Sequence, residues 1–343
     1  MVNNIKGKNV LLLCESFYGY DKAIKDELYK LGANTVFLKN VKYFSGSFRE
    51  PKSFRILSFI RNPFERRCWT VAFQKEISSL HFDLFICIEN ACFVKSFMQF
   101  LHNKNPRIKT ILFLWDTYET QQDGFKDYRF LFDKVYSFDR DDALQYGLDY
   151  FPDFYVPLKK QDEYLYDLSF VGTANGSSTI HRFELIDYVS NFCKKNQLNA
   201  FLYLKTFKQT STNNPLKQLK RKLYGKSALH KLCEKYSNEN WLHFESLSLE
   251  DCNNYQSQAR VLLDLNHKDR QGMTINCITA LANGQKLITT NKRIKDEPFY
   301  DPNMIYIMDD KNPKLNIEFW NYPYKFIDIS YLRLDNWLLH ITS

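Results

Sequence analysis

Hydrophobic residues along this chain gather into short unbroken runs separated by stretches of helical period, and the rhythm occurs twice. Asn9-Val-Leu-Leu-Leu-Cys14 is apolar enough for a strand buried on both faces; Glu15 to Tyr20 follows, then a helical pattern from Asp21 to Leu31 that Gly32 ends. Thr35 to Leu38, Leu84 to Ile88, Thr110 to Leu114 and Lys134 to Ser137 predict further strands. Strands alternating with helical segments predict a doubly wound parallel sheet. Right-handed crossovers then set the loops Glu15 to Tyr20, Glu89 to Ala91 and Trp115 to Tyr118 along one edge.

Phe151-Pro-Asp-Phe-Tyr-Val-Pro157 interrupts the pattern, because both prolines exclude helix and bias their predecessors toward extended backbone. The rhythm then resumes with a strand at Asp167 to Val171, a loop from Gly172 to Ser178 and a helix from about Thr179 to Lys195. Ala200 to Leu204, Leu242 to Phe244, Arg260 to Leu265, Lys286 to Thr289 and Met304 to Ile307 predict the other strands of a second sheet. The expected division is residues 1–155, 156–315 and an aromatic, partly helical tail, 316–343, returning toward the first domain.

The most informative stretch is Gln271 to Asn291, which reads as a loop, a helix and a buried strand in immediate succession. Gly272 permits close backbone approach, Thr274 or Asn276 can cap the helix, Gly284 marks its end, and Lys286-Leu-Ile-Thr-Thr290 is the following strand. Amides at a helix start inside an α/β sheet suit an anion such as a diphosphate.

Composition sharpens this picture. With 343 residues, 44% hydrophobic and 16% aromatic, the chain can bury two ordinary α/β cores. It has no apolar run of about 18 residues and no apolar stretch after its first charges, so neither a membrane span nor a signal peptide is expected and the protein reads as cytoplasmic. Cys14, Cys68, Cys87, Cys92, Cys193, Cys233, Cys252 and Cys277 form no C-x-x-C pair and are expected to be reduced core thiols. The formal charge of +8 is uneven. Lys217 to Lys235 holds seven basic residues against Glu234 alone, and Arg49, Arg55, Arg61, Arg66 and Arg67 alternate with aromatics between Lys42 and Lys75. Segments 42–75 and 217–235 therefore suit anionic lipid or another polyanion, or are simply solvated helix faces; with no nucleic-acid module beside them, nucleic acid is not expected.

Phe113-Leu-Trp-Asp116, Phe132 to Ala143, Tyr166 to Thr173 and Gln271 to Asn291 resemble bacterial lipopolysaccharide and capsule biosynthesis proteins of the CgeB-like glycosyltransferase group, with a glycosyltransferase family 4-like C-terminal domain. The resemblance covers most of the chain. It implies the GT-B fold, two Rossmann-like domains with a cleft between them and a C-terminal helical segment packing back on the N-terminal domain. It also implies transfer of a sugar from a nucleotide-sugar donor, held by the second domain, to a surface glycan or lipid-linked glycan acceptor, held by the first, at the inner face of the cytoplasmic membrane. One departure stands out. Many retaining GT-B enzymes carry an acid, seven residues and a second acid here; the corresponding Gln271 and Thr279 can hydrogen-bond a hydroxyl but carry no charge. Retention is therefore unsupported, and a non-catalytic nucleotide-sugar or glycan-binding protein of the same architecture is the alternative.

The expected donor contacts are Gly172, Thr173, Asn175, Arg182, His267, Gln271, Gly272, Met273, Thr274, Asn276 and Thr279. Amides of the 172–176 loop can meet phosphate or form an ordinary βα turn; Arg182 can neutralise a diphosphate or make a salt bridge; His267 can bind ligand or be structural. An inverting reaction needs a base for the acceptor hydroxyl, and Asp116 and Glu15, just past apolar strands, are its candidates, although either can instead cap a helix. Tyr18, Gly19, Tyr20 and Glu89 are the expected acceptor contacts. Asp139-Arg-Asp141 has the spacing of an acid-x-acid metal grip but more simply caps the following helix; no metal or cofactor is expected. The chain has no phosphate loop with Gly-Lys-Ser/Thr and no G-x-S-x-G elbow.

Overall fold

The computed structural model describes residues 3–16, 19–40, 52–88, 93–118, 129–158, 163–176, 178–207, 228–268 and 271–343, the side chains of 52–62 and of Leu249 excepted. The chain forms two compact units, Met1–Val156 with Tyr331–Ser343, and Pro157–Ser330. Residues 316–330 thus group with the second unit, and the return to the first comes later than the expected Asn316.

In the first unit the apolar runs become β1 (Asn9–Cys14), β2 (Thr35–Asn40), β3 (Leu84–Ile88), β4 (Lys109–Leu114) and β5 (Lys134–Ser137), joined by a two-residue strand, β6 (Asp149–Tyr150). All pair in parallel in the order β2-β1-β3-β4-β5-β6. The continuous apolarity of β1, β3 and β4 follows from this position, since each central strand is covered on both faces. Among the described residues, α1 (Tyr20–Lys30), α2 (Lys52–Glu76), α3 (Ser96–Lys104) and α4 (Arg140–Tyr146) alternate with them. The basic, aromatic stretch 42–75 is therefore helical from Lys52. Its described end turns inward, with buried Phe73 stacked on Phe97 of α3 at 5.0 Å and the Thr70 hydroxyl accepting from the Val94 amide at 3.1 Å. The side chains of 42–62 and all of 217–227, with Cys92, Tyr18 and Glu89, fall outside what is described.

The first unit is closed by α10 (Leu334–Ile341), the last helix of the chain. Trp337 is fully buried against Phe113 and Phe154, with ring centroids 4.7 and 5.0 Å away, and its indole N–H donates to the Pro152 carbonyl at 3.0 Å. Residue Tyr155 exchanges backbone hydrogen bonds with Leu332 and Leu334, and Lys109 donates to the carbonyls of Thr342 and Ser343.

The second unit contains β7 (Tyr166–Thr173), β8 (Ala200–Lys205), β9 (Leu242–His243), β10 (Ala259–Asp264), β11 (Lys286–Thr289) and β12 (Ile305–Ile307), all parallel. Their order, β9-β8-β7-β10-β11-β12, is the 3-2-1-4-5-6 order of dinucleotide-binding sheets. Helices α5 (Arg182–Lys195), α6 (Ala228–Lys235), α7 (Leu249–Ser257), α8 (Ile275–Ala282) and the single turn α9 (Glu318–Asn321) accompany them. Gly172 and Thr173, expected in a loop, are the last residues of β7. The Phe170 ring lies over Gly172 so closely that an added Cβ would sit 2.6 Å from its Cζ, which is the packing reason for glycine there. Gly284, at φ +75°, ends α8 as the sequence predicts. Lys286 is wholly buried at the start of β11, where its ammonium donates to the carbonyls of Phe319, Trp320 and Tyr322 around α9.

Each unit is thus a Rossmann-like α/β fold on one six-stranded parallel sheet, and the C-terminal helix belongs to the first. Cys14, Cys87, Cys193 and Cys277 are buried free thiols as expected, and burial pushes the Cys193 thiol up to about 12. Cys68, on α2, departs from that expectation because it is exposed. No helix among the described residues is long and apolar enough to cross a membrane.

Candidate functional site

The chain of the second unit runs from β7 outward through β8 and β9, then returns to the other side of β7 as β10. The carboxyl ends of β7 and β10 therefore flank a topological switch point, where loops diverge and leave room for a ligand. Arg182 fastens this point. Its buried guanidinium donates to the Thr173 carbonyl at 2.7 Å and to the Leu265 carbonyl, tying the end of β7 to the end of β10. A charge-assisted bond of this kind is stronger than a neutral one, so the arginine sets the strand spacing at the site.

A polar cavity of about 160 Å³ opens at this edge, lined by His181, Asn266, His267, Lys268, Gln271, Thr290, Lys292 and Asp310. Loops after β10, β11 and β12 and the start of α5 supply these residues, so four segments converge on it. Lys268 and Lys292 bring positive charge and Asp310 a single carboxylate to the lining; Lys292 also lies 3.3 Å from Asp309. Hydrogen bonds from the Lys311 and Asn312 amides, with help from Lys292, hold the Asp309 carboxyl below its usual range. Burial, reinforced by the charges of Lys268 and Arg182, pushes the His181 imidazole below its ordinary value against the opposing pull of Asp310. The His267 Nδ1 is 3.3 Å from the Ser178 hydroxyl, and the Lys268 amide donates to the Ser178 carbonyl at 3.2 Å, which locks the two principal loops together.

The loop 271–274 is held from behind. Buried Asn291 donates from Nδ2 to the carbonyls of Gln271 and Gly272, at 2.9 and 3.3 Å, which turns the Gln271 side chain into the cavity lining. Thr274 is the cap of α8: its hydroxyl accepts from the Cys277 amide at 3.2 Å and donates to the Asp264 carboxylate at 3.0 Å. Thr289 donates to the other oxygen of Asp264 at 3.2 Å. Met273 is buried in the core, so packing does account for Met273 and Thr274, contrary to the sequence expectation of direct ligand contact. Asn276 is exposed in the first turn of α8 and Thr279 half-buried in the second.

Of the other donor candidates, His267 and Gln271 reach the cavity and Gly172 and Thr173 belong to β7. The amides of Asn175 and Gly176 both donate to the Thr179 hydroxyl, at 3.1 and 3.3 Å, so this loop is an ordinary βα turn closed on itself. His181, Asn266, Lys268, Thr290, Lys292 and Asp310 went unrecognised in sequence. Their shared signal is position: five lie within four residues of the end of a strand and His181 sits at the start of a helix.

In the first unit, Glu15 directly follows β1 and Asp116 lies just past β4; both are half-buried. The strand order puts β3 between them, so the two backbones share one carboxyl edge at a spacing of about 10 Å. Gly19 is exposed at φ +78° as the cap of α1, a backbone requirement that explains the glycine. Tyr20 packs edge-on to Trp115 and Phe154, with centroids 6.3 and 5.7 Å away. Asp139 accepts from the amides of Asp141 and Asp142 at 2.9 and 3.3 Å, and Asp142 accepts from the Tyr118 amide at 2.6 Å; these acids organise α4 as a capped helix.

No protein-family model and no curated protein matches the chain. Solved structures similar to it include a UDP-forming trehalose-phosphate synthase from Burkholderia xenovorans (9% identity, 97% of this chain and 94% of that one, TM-score 0.49). Another is the S. aureus MnaA–UDP complex (10%, 96% and 90%, TM-score 0.46). The UDP-GlcNAc 2-epimerase of Methanocaldococcus jannaschii is a third (9%, 97% and 99%, TM-score 0.45).

Proposed function

We propose that this chain is a glycosyltransferase that holds a nucleotide-sugar donor in the second unit and transfers the sugar to a glycan acceptor of the bacterial surface. The observation that carries the reading is the cationic cavity at the β7/β10 switch point, the position where doubly wound sheets take nucleotides. Lys268 and Lys292 neutralise the diphosphate, and the Arg182 clamp keeps the ends of β7 and β10 in register; as the glycosidic bond breaks, the same charges stabilise the departing nucleoside diphosphate. Gln271 and Thr290 are neutral donors and acceptors for ribose or sugar hydroxyls. The base for the acceptor hydroxyl is drawn from Asp116 and Glu15, and Gly19 and Tyr20 lie on the acceptor side, joined by Tyr18 and Glu89 from the sequence. An anionic membrane surface reached through segments 42–75 and 217–235 belongs to the same proposal.

Thermal-shift titration with UDP-glucose, GDP-mannose and ADP-glucose tests donor binding: free ligand at 100 times its dissociation constant adds about 2.7 kcal/mol of stability. Turnover with a glycan acceptor then separates transferase from binder. Release of an epimerised sugar nucleotide in the absence of acceptor would overturn the assignment to transfer while keeping the donor site.

A further inference from the structure

We propose that His181 is a ligand-contacting residue of the cationic cavity, and that binding of a sugar nucleotide's diphosphate is accompanied by uptake of one proton onto its imidazole. The inference rests on the nucleotide-sugar reading of the same cavity. Its observations are the position of the ring in the lining and the state of Nδ1, which is buried and has no hydrogen-bond partner among the described residues. Such an atom is costly to leave unsatisfied, and because the ring lines the cavity, a turn of the ring brings Nδ1 to a partner held there.

The charges around the ring decide the direction. Lys268 faces it from the loop after β10 and Arg182 from its own helix, and both disfavour an added proton; Asp310, from the loop after β12, favours it, as does the ring's contact with the Asn266 backbone. Lys292 and His267 complete the charged and titratable lining. Without a bound anion, burial and the two cations disfavour the protonated imidazole. The diphosphate of a sugar nucleotide carries two negative charges that do not titrate near neutral pH. Placed among Lys268, Lys292 and Arg182, they reverse the sign of the local field. The imidazole then takes a proton from solvent, Nδ1 becomes an N–H donor, and it bonds a phosphate oxygen, so the complex gains one positive charge and buffer loses one proton.

Titration calorimetry near pH 7, in two buffers of different ionisation enthalpy, measures this directly with whichever of UDP-glucose, GDP-mannose or ADP-glucose binds. Expected is uptake of a substantial fraction of one proton per ligand in the wild type and none in His181→Gln. Affinity should fall from pH 6 to pH 8, by no more than tenfold per pH unit, in the wild type and stay flat in the variant. Zero uptake in the wild type, or equal uptake in His181→Gln, overturns this inference and leaves the donor site standing. Failure of all three sugar nucleotides to bind overturns both. Should His181→Gln not fold, the His181 ring resonances of the wild type decide: their titration must move to higher pH on ligand addition, and an unmoved titration sinks the proposal.

Discussion

The carboxyl edges of the two sheets are built on one plan and furnished with opposite chemistry. In the first unit the edge carries Glu15 and Asp116 beside a packed group of Tyr20, Trp115 and Phe154. In the second it carries Lys268, Lys292, His181 and His267 around a polar cavity, with Arg182 bracing the strands beneath. The contrast teaches where each kind of ligand can go. Aromatic rings beside carboxylates suit a sugar ring whose hydroxyl must lose a proton, whereas clustered cations suit a diphosphate.

That contrast can be broken at either edge. The largest effect is expected from Asp116→Asn, which removes a candidate base from the first edge: turnover should fall by about 10²- to 10⁴-fold with donor affinity unchanged. Steady-state kinetics with a direct binding assay checks this, and full activity would transfer the role to Glu15. Next, Trp337→Ala removes the indole that α10 inserts against Phe113 and Phe154 and should destabilise the first unit by about 3–5 kcal/mol in denaturant titration. A site confined to the second unit keeps its donor affinity at low denaturant in this variant. Third, Lys268→Met should weaken sugar-nucleotide binding about tenfold, the order of one charge-assisted hydrogen bond, with little change in melting temperature. An unchanged affinity would remove the loop after β10 from the donor site.

The smallest effect is a pH dependence. His181 and His243 in the second unit and His340 in the first all have imidazoles pushed down chiefly by burial. Because each folded value lies below the unfolded one, the unfolded chain binds more protons once the pH drops below about 6.5; the ligand-free protein should lose stability from pH 7 toward pH 5. Melting temperatures across that range check the sign. A saturating sugar nucleotide should flatten the loss, because it favours the charged form of His181.

Most of the scaffold was legible because central parallel strands must be apolar on both faces; β1, β3, β4 and β11 stand out in the sequence for this reason. The inward face of α2 was not legible, since its charged, aromatic sequence and internal Pro63 hide the buried residues Thr70, Phe73 and Ile77. At the candidate site, the loop positions of Gln271 and His267 made them candidates, and both line the cavity. Gly172, Met273 and Thr274 were misleading, because a ring that needs space, a core that needs filling and a helix that needs a cap select the same residues a ligand would. His181, Lys268 and Lys292 were missed because loops distant in sequence meet only at the switch point.

The way the chain leaves the first unit and comes back to it orders its synthesis. Pro157–Ser330 is one continuous stretch, complete as soon as it clears the ribosome, whereas the first unit waits for Trp337, Leu338 and Ile341 to fill its core. The half that is translated first is thus the half that finishes last, and until then it must keep the vacant seat of α10 from other hydrophobic partners.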